Sequence, residues 1–236
     1  MPRNVDKFVR FANLMMNDVT YLLDESLNTI SQIFNIQNEM HDSTAWAAQT
    51  PQYREERTHA LRGLERQASM NARLGSQTVE LLKIFTGQTQ EPFMMPEIVD
   101  RLAAMLDYNL NALAGARCQE LNVRNPQKLG WEPRSLLRDI IDIFVNLSNQ
   151  EAFTKAVAND GRSYSKELFE RAARIAIRRG IKTETELAPF LSFIERVEGA
   201  KANMEAEEDL GEVPDEYLGL LNQRLFIQLF MKVQIL

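Results

Sequence analysis

Few side chains in this 236-residue sequence could carry chemistry by type or spacing. They are two histidines, His41 and His59, one cysteine, Cys118, and the arginines Arg171, Arg174 and Arg178 with Arg179 beside them. A single cysteine excludes a disulfide framework and a multi-cysteine zinc site. His41, next to Asp42, and His59 fall in or near a polar stretch far from Cys118. A metal site needs more convergent ligands, and polar surface histidines are the commoner outcome. Cys118 has neither a histidine nor a lysine cluster nearby in the sequence to stabilise a thiolate, which argues against a nucleophile. The patterns GxxxxGK[ST], GxGxxG and HExxH do not occur, so no nucleotide, cofactor or metal is expected.

Arg171, Arg174 and Arg178 recur at i, i+3, i+7, which puts them on one face of a helix, with Arg179 at its edge. Such a row serves as a solvated face partly paired with Glu167 and Glu170. Equally, it would suit docking of an acidic partner, or of the chain's own Glu205 to Asp209 segment. The formal net charge is -6, which leaves no electrostatic footprint for nucleic acid.

The elements that must position these residues read as helices throughout. Ten glycines and eight prolines are too few for a β fold rich in tight turns. From Asp6 to Met40, Phe8, Phe11, Met15, Val19, Leu22, Leu27, Ile30 and Phe34 form the stripe of one long amphipathic helix. His41 to Glu56 reads as a connector in which Trp46 anchors against a neighbouring helix. A second long helix spans about Glu55 to Phe85, burying Leu61, Leu64, Ala68, Ala72, Gly75, Val79, Leu82 and Phe85. Pro96 opens a third that closes at Gly115, and Pro133 opens another after a loop from Asn122 to Gly130. Asn159-Asp160-Gly161 is a turn signal. Ser165 caps a helix that stops at Gly180, and Thr183 with Glu186 has the spacing of a capping box. The helix it opens is expected to bury Leu187, Leu191, Ile194 and Val197.

The expected organisation is a helical body over 1–197, an acidic linker over 198–216 and an apolar tail over 217–236. Eight of the 19 linker residues are acidic, and 13 of the last 20 residues are apolar or Tyr. Arg224, Lys232 and several glutamines interrupt the tail, which argues against a membrane span. The N-terminus has no signal-peptide pattern, and the lone cysteine fits a reducing compartment, cytosol or nucleus.

Three segments go beyond composition. They are Asn17 to Leu27 (NDVTYLLDESL), Val157 to Ser165 (VANDGRSYS) and Glu207 to Leu218 (EEDLGEVPDEYL). In this order they resemble the conserved core of the ubiquitin conjugation factors that elongate ubiquitin chains, the fusion-degradation type of U-box ligases. The Pro96 helix and Trp131-Glu132-Pro133 are also similar to that core, and the resemblance covers about residues 7–40 and 92–218. It implies an elongated, armadillo-like, all-α stack. It further implies work with a ubiquitin-conjugating enzyme to extend chains on ubiquitinated substrates. Partnership with an AAA-type unfoldase, proteasomal degradation that includes proteins of the endoplasmic reticulum, and residence in cytoplasm and nucleus also follow from it. In such ligases the conjugating enzyme carries the thioester, so no catalytic cysteine is implied.

In that family the segment matching Pro214 to Leu218 leads into a U-box, the module that grips the conjugating enzyme. Gly219 to Leu236 does not resemble one, so the chain is expected to be the C-terminal portion of the core. A non-catalytic helical binding module is the alternative expectation. A solenoid cut at an internal interface would expose apolar surface, with Phe8, Phe11 and Met15 as candidates, and limit solubility.

Overall fold

The first helix, α1 (Pro2–His41), sets the scale: at 1.5 Å per residue its 40 residues run about 60 Å. The computed structural model describes residues 2–211, and among these it has eight α-helices, three short 3₁₀ turns and no strand. The expected all-α stack is present, and the apolar segment 217–236 lies outside the described residues.

The buried face of α1 runs through Ala12, Met16, Val19, Leu23, Ile30 and Ile33. Ser26 and Thr29 sit within it, their hydroxyls donating to the carbonyls of Leu22 and Glu25 one turn back. This face is rotated from the expected stripe. Of the three candidates for exposure, Met15 is buried, Phe8 is half-buried and Phe11, at 43%, is exposed. Both rings lie at the helix end, where Phe8 meets Phe93 edge-on at 5.4 Å and Phe11 meets Phe85 at 5.6 Å.

The expected connector holds a short helix, α2 (Ser43–Ala47), capped by the Asp42 carboxylate on the Ala45 N–H. Trp46 packs against the neighbouring helix as expected, its half-exposed indole 6.4 Å from the ring of Tyr53, although α2 buries no residue. The next helix, α3 (Pro51–Gln88), starts earlier than expected because Thr50 caps it and Pro51 needs no N–H at the first position. It runs antiparallel to α1, and a Cβ on Gly75 would lie 3.1 Å from Leu23 Cδ2. A larger residue at this position would press on the Leu23 side chain, which would have to give by a few tenths of an ångström.

On one side of this pair lie α4 (Pro96–Ala114) and α5 (Pro133–Leu147). The segment between them, expected to be a loop after Asn122, contains 3₁₀ turns at Ala116–Leu121 and Pro126–Leu129. Buried Trp131 fastens it, its indole N–H donating to the Leu121 carbonyl at 3.2 Å. Then follow α6 (Glu151–Asn159), α7 (Lys166–Arg178) and α8 (Glu184–Gly211). The capping box is formed: the Thr183 N–H donates to Glu186 Oε2 at 2.7 Å, and the Glu186 N–H donates to Thr183 Oγ1 at 3.3 Å.

These last helices converge on Phe144 of α5. Its ring contacts Phe153, Phe169, Phe190 and Phe193 at centroid distances of 5.0 to 6.1 Å, so one side chain touches α6, α7 and α8. Phe190 and Phe193 also decide the face of α8. They turn its buried arc away from Leu191, which is 40% exposed where burial was expected. Beyond Val197, α8 continues to Gly211, so the acidic segment begins as helix.

The VANDGRSYS segment has a structural role. Asp160 Oδ1 accepts from the N–H groups of Arg162 and Ser163, holding the turn. Tyr164 packs on Phe169 at 4.9 Å and donates to Glu198 at 2.6 Å. Fully buried Asp107 of α4 faces Asp160, and neither Asp107 oxygen nor Asp160 Oδ2 finds a donor elsewhere. A proton on Asp107 can be donated to Asp160, which would satisfy one oxygen of each carboxyl. Burial first, then the charge and hydrogen bond of Asp160, hold the Asp107 carboxyl well above the ordinary carboxylate range.

A second apolar stripe lies on the back of α3. Met70, Leu74, Leu81 and Ile84, between 42% and 62% exposed, face away from Ala68, Ala72, Val79 and Leu82.

Three outcomes are expected. Phe144→Ala should cost about 3–5 kcal/mol in urea denaturation, and a loss below about 1 kcal/mol would contradict the hub. For Asp107, the unfolded chain releases the proton near pH 4 while the folded chain keeps it, so stability falls as pH rises from there toward the folded value. Asp107→Asn, whose amide can donate to Asp160, should therefore gain about 1–3 kcal/mol at pH 8 and less at pH 5. Equal gains at both pH values would reject the proton on Asp107. Finally, sedimentation should show the chain self-associating through the α3 stripe. Leu81→Glu with Ile84→Lys should shift it toward monomer, and a monomeric parent chain would refute this.

Candidate functional site

The arginine row is placed by two local signals at the ends of α7. Ser165 Oγ accepts the Leu168 N–H at 3.2 Å and starts the helix. At the other end Gly180, with φ +63°, lets the chain reverse. The Ile181 N–H then donates to the Ala176 carbonyl at 2.8 Å, and the Gly180 N–H donates to Ile177 at 3.0 Å. This paired closure is a Schellman motif, and it turns Ile181 back beneath the last turn. Lys182, with only 9% of its side chain exposed, then pairs with Asp142 of α5 at 2.6 Å. The C-terminal end of α7 is thereby tied to α5.

All four arginines singled out from sequence, Arg171, Arg174, Arg178 and Arg179, line one groove of about 850 Å³. Arg134, from the first turn of α5, lies across from them. The groove has an apolar floor of Phe34, Leu113, Leu121, Leu137, Ile175 and Ile181. Its third wall is the 3₁₀ turn that Trp131 fastens, carrying Cys118 and Gln119.

The guanidinium groups are poorly compensated. Arg174 pairs with Glu170 at 3.6 Å, in line with the partly paired face expected of the row. Arg171 has a longer contact, Nη2 to Cys118 Sγ at 4.0 Å. Arg134, Arg178 and Arg179 have no carboxylate partner among the described residues. A larger open groove of about 930 Å³ between α1 and α3 differs, since its Arg57 is already bidentate on Glu39.

The chain's own Glu205 to Asp209 does not reach this row. α7 and α8 form an antiparallel hairpin registered by Lys166–Glu195 at 3.0 Å and Tyr164–Glu198. Arg178 lies about 18 Å from that register point in one direction and Glu205 about 15 Å in the other.

The remaining sequence candidates do not converge. His41 and His59 are exposed on α1 and α3, and Cys118 lies in the groove wall. Among the described residues no three metal-ligating side chains cluster, and no helix is long and apolar enough to cross a membrane. Sequence spacing missed Arg134, Phe34 and Ile181. Only Arg134 left a trace, as a cation just inside the helix that Pro133 opens.

Comparison with known proteins agrees with the resemblance read from the sequence. The model of the ubiquitin elongating factor core matches residues 1–198. The chain is 43% identical over 216 residues to "Ubiquitin conjugation factor E4" of Schizosaccharomyces pombe, covering 91% of this chain and 21% of the relative. It is 38% identical over 218 residues to "E4 ubiquitin-protein ligase UFD2" of Saccharomyces cerevisiae, covering 91% and 23%. To "Probable ubiquitin conjugation factor E4" of Arabidopsis thaliana it is 34% identical over 215 residues, covering 89% and 21%. The chain thus spans about a fifth of the length of these relatives. With nearly its whole helical body matched, the chain belongs to the ubiquitin elongating factor core family.

Proposed function

We propose that this chain is a scaffolding part of a ubiquitin chain-elongation factor, acting in polyubiquitination and ubiquitin-dependent proteasomal degradation. The observation that carries the proposal is the core match over residues 1–198, joined to relatives named as ubiquitin conjugation factors. In this role a ubiquitin-conjugating enzyme holds the thioester and a U-box grips that enzyme. The helical stack fixes the distance between that module and the bound substrate. Long helices suit such a spacer, because α1 and α3, of 40 and 38 residues, are joined along their length rather than at one end. The same proposal takes ubiquitinated substrates and an AAA-type unfoldase as partners, includes degradation of endoplasmic-reticulum proteins, and sets the work in cytoplasm and nucleus. Its support on these finer points is the resemblance of the three segments and the single cysteine.

A chimera tests it. Residues 1–211 should replace the matching segment of the fission-yeast relative, and the purified hybrid should be supplied with activating enzyme, conjugating enzyme, ubiquitin and a monoubiquitinated fusion protein. Chains should lengthen at a rate within about tenfold of the parent, a margin of about 1.4 kcal/mol in the barrier. A folded hybrid that binds the conjugating enzyme yet leaves the substrate monoubiquitinated would overturn the proposal.

A further inference from the structure

We infer that the groove between α5, α7 and the Ala116–Leu121 turn is a docking site for an acidic peptide segment with apolar anchors, supplied by a partner protein. Three features lead there. The first is a local reversal of sign: a chain of net charge -6 gathers five arginines around one groove. Four of these, Arg134, Arg171, Arg178 and Arg179, have no carboxylate partner among the described residues. The second is geometry. Arg171, Arg174 and Arg178 lie on one face of α7, spanning about 10 Å along its axis, the length of about three residues of extended peptide. Guanidinium forks at that pitch can each take a carboxylate in bidentate fashion.

The third feature selects the class of ligand. Between the charges lies an apolar floor of half-buried Phe34, Leu121, Ile175 and Ile181. Leucine or a similar side chain alternating with acids fits this pattern. A nucleic-acid strand would instead want exposed aromatic platforms along a broad basic track. Among the described residues, Phe34 is the one aromatic side chain lining the groove. The described part of the chain's own acidic stretch, on α8, lies on the far side of the Lys166–Glu195 register, and the occupant we infer is a segment of another molecule.

This site does not depend on the ubiquitin reading, because its test contains no ubiquitin. The full 236-residue chain is titrated into a fluorescein-labelled octapeptide of alternating leucine and aspartate, and anisotropy is followed. Binding should be on the order of tens of micromolar at low salt and weaken severalfold at 0.3 M salt, as screening demands. Arg174→Glu with Arg178→Glu should weaken it at least about tenfold. Arg62→Glu with Arg66→Glu, exposed on α3, should leave it within about twofold, as expected of distant sites. The milder pair Arg134→Gln with Arg178→Gln, checked for helicity by circular dichroism, should also weaken binding. No binding at millimolar peptide, equal weakening by the α3 pair, or tighter binding of an oligothymidine competitor at the same arginines would each overturn the inference.

Discussion

The packing of Phe144 is the constraint on which the rest of the molecule hangs. Its ring is fully buried among four other phenylalanines, so α6, α7 and α8 are placed by one residue of α5. The other sides of α5 are occupied too. Asp139 pairs with Lys83 of α3 at 2.7 Å, and the Asn146 amide donates to the Lys83 carbonyl and Thr86 hydroxyl. Asp142 holds Lys182 at the α7–α8 turn. A helix fixed on three sides has little freedom to roll. The direction of its N-terminus, and hence the position of Arg134 against the α7 row, follows from that packing. The groove is a consequence of the core rather than a feature laid upon it.

What could be read from sequence follows from the range of the forces involved. Helix starts and stops are decided within four residues, so Ser165, the Thr183–Glu186 box, Gly180, Pro96 and Pro133 were all legible. The roll of a helix is decided by what it packs against. The buried face of α1 therefore includes Met15 and Met16, and Phe190 and Phe193 displace Leu191. α6 went unseen because it is nine residues long and its N-cap, Gln150, makes no side-chain cap bond. The four arginines of α7 were legible as a row. The groove was not, since Phe34, Cys118 and Arg134 reach it only through tertiary packing.

Two of the segments that carry the family resemblance, NDVTYLLDESL and VANDGRSYS, act mainly on shape; the third, 207–218, lies largely outside the described residues. In NDVTYLLDESL, Val19 and Leu23 are core, and Asn17 accepts from Arg101 of α4 at 2.8 Å. This polar contact latches α1 to α4. In VANDGRSYS, Asp160 closes the turn and faces the buried carboxyl of Asp107, which places α4 against the α6–α7 connection. Tyr164 carries the same linkage on to Glu198 of α8. Buried polar groups of this kind contribute little net stability when satisfied, and cost much when one partner is lost. Such residues are tightly specified by their neighbours, which explains why a fold can be recognised from them even though none touches the arginine groove.

Charge placement completes the account. The α7–α8 hairpin holds unpaired arginines near its turn and acids at its free end, on opposite sides of the Lys166–Glu195 register. Those ends are about 30 Å apart, while a charge in physiological salt is screened over about 8 Å. The acids of α8 therefore do not neutralise the groove, and the net charge of -6 does not describe the field an approaching peptide meets there. What it meets is set by the nearest groups: five guanidiniums, one of them engaged by Glu170, above an apolar floor. The groove walls are held by the Phe144 packing, the Lys182–Asp142 pair and the Trp131 bond, so a ligand meets groups already placed by the core.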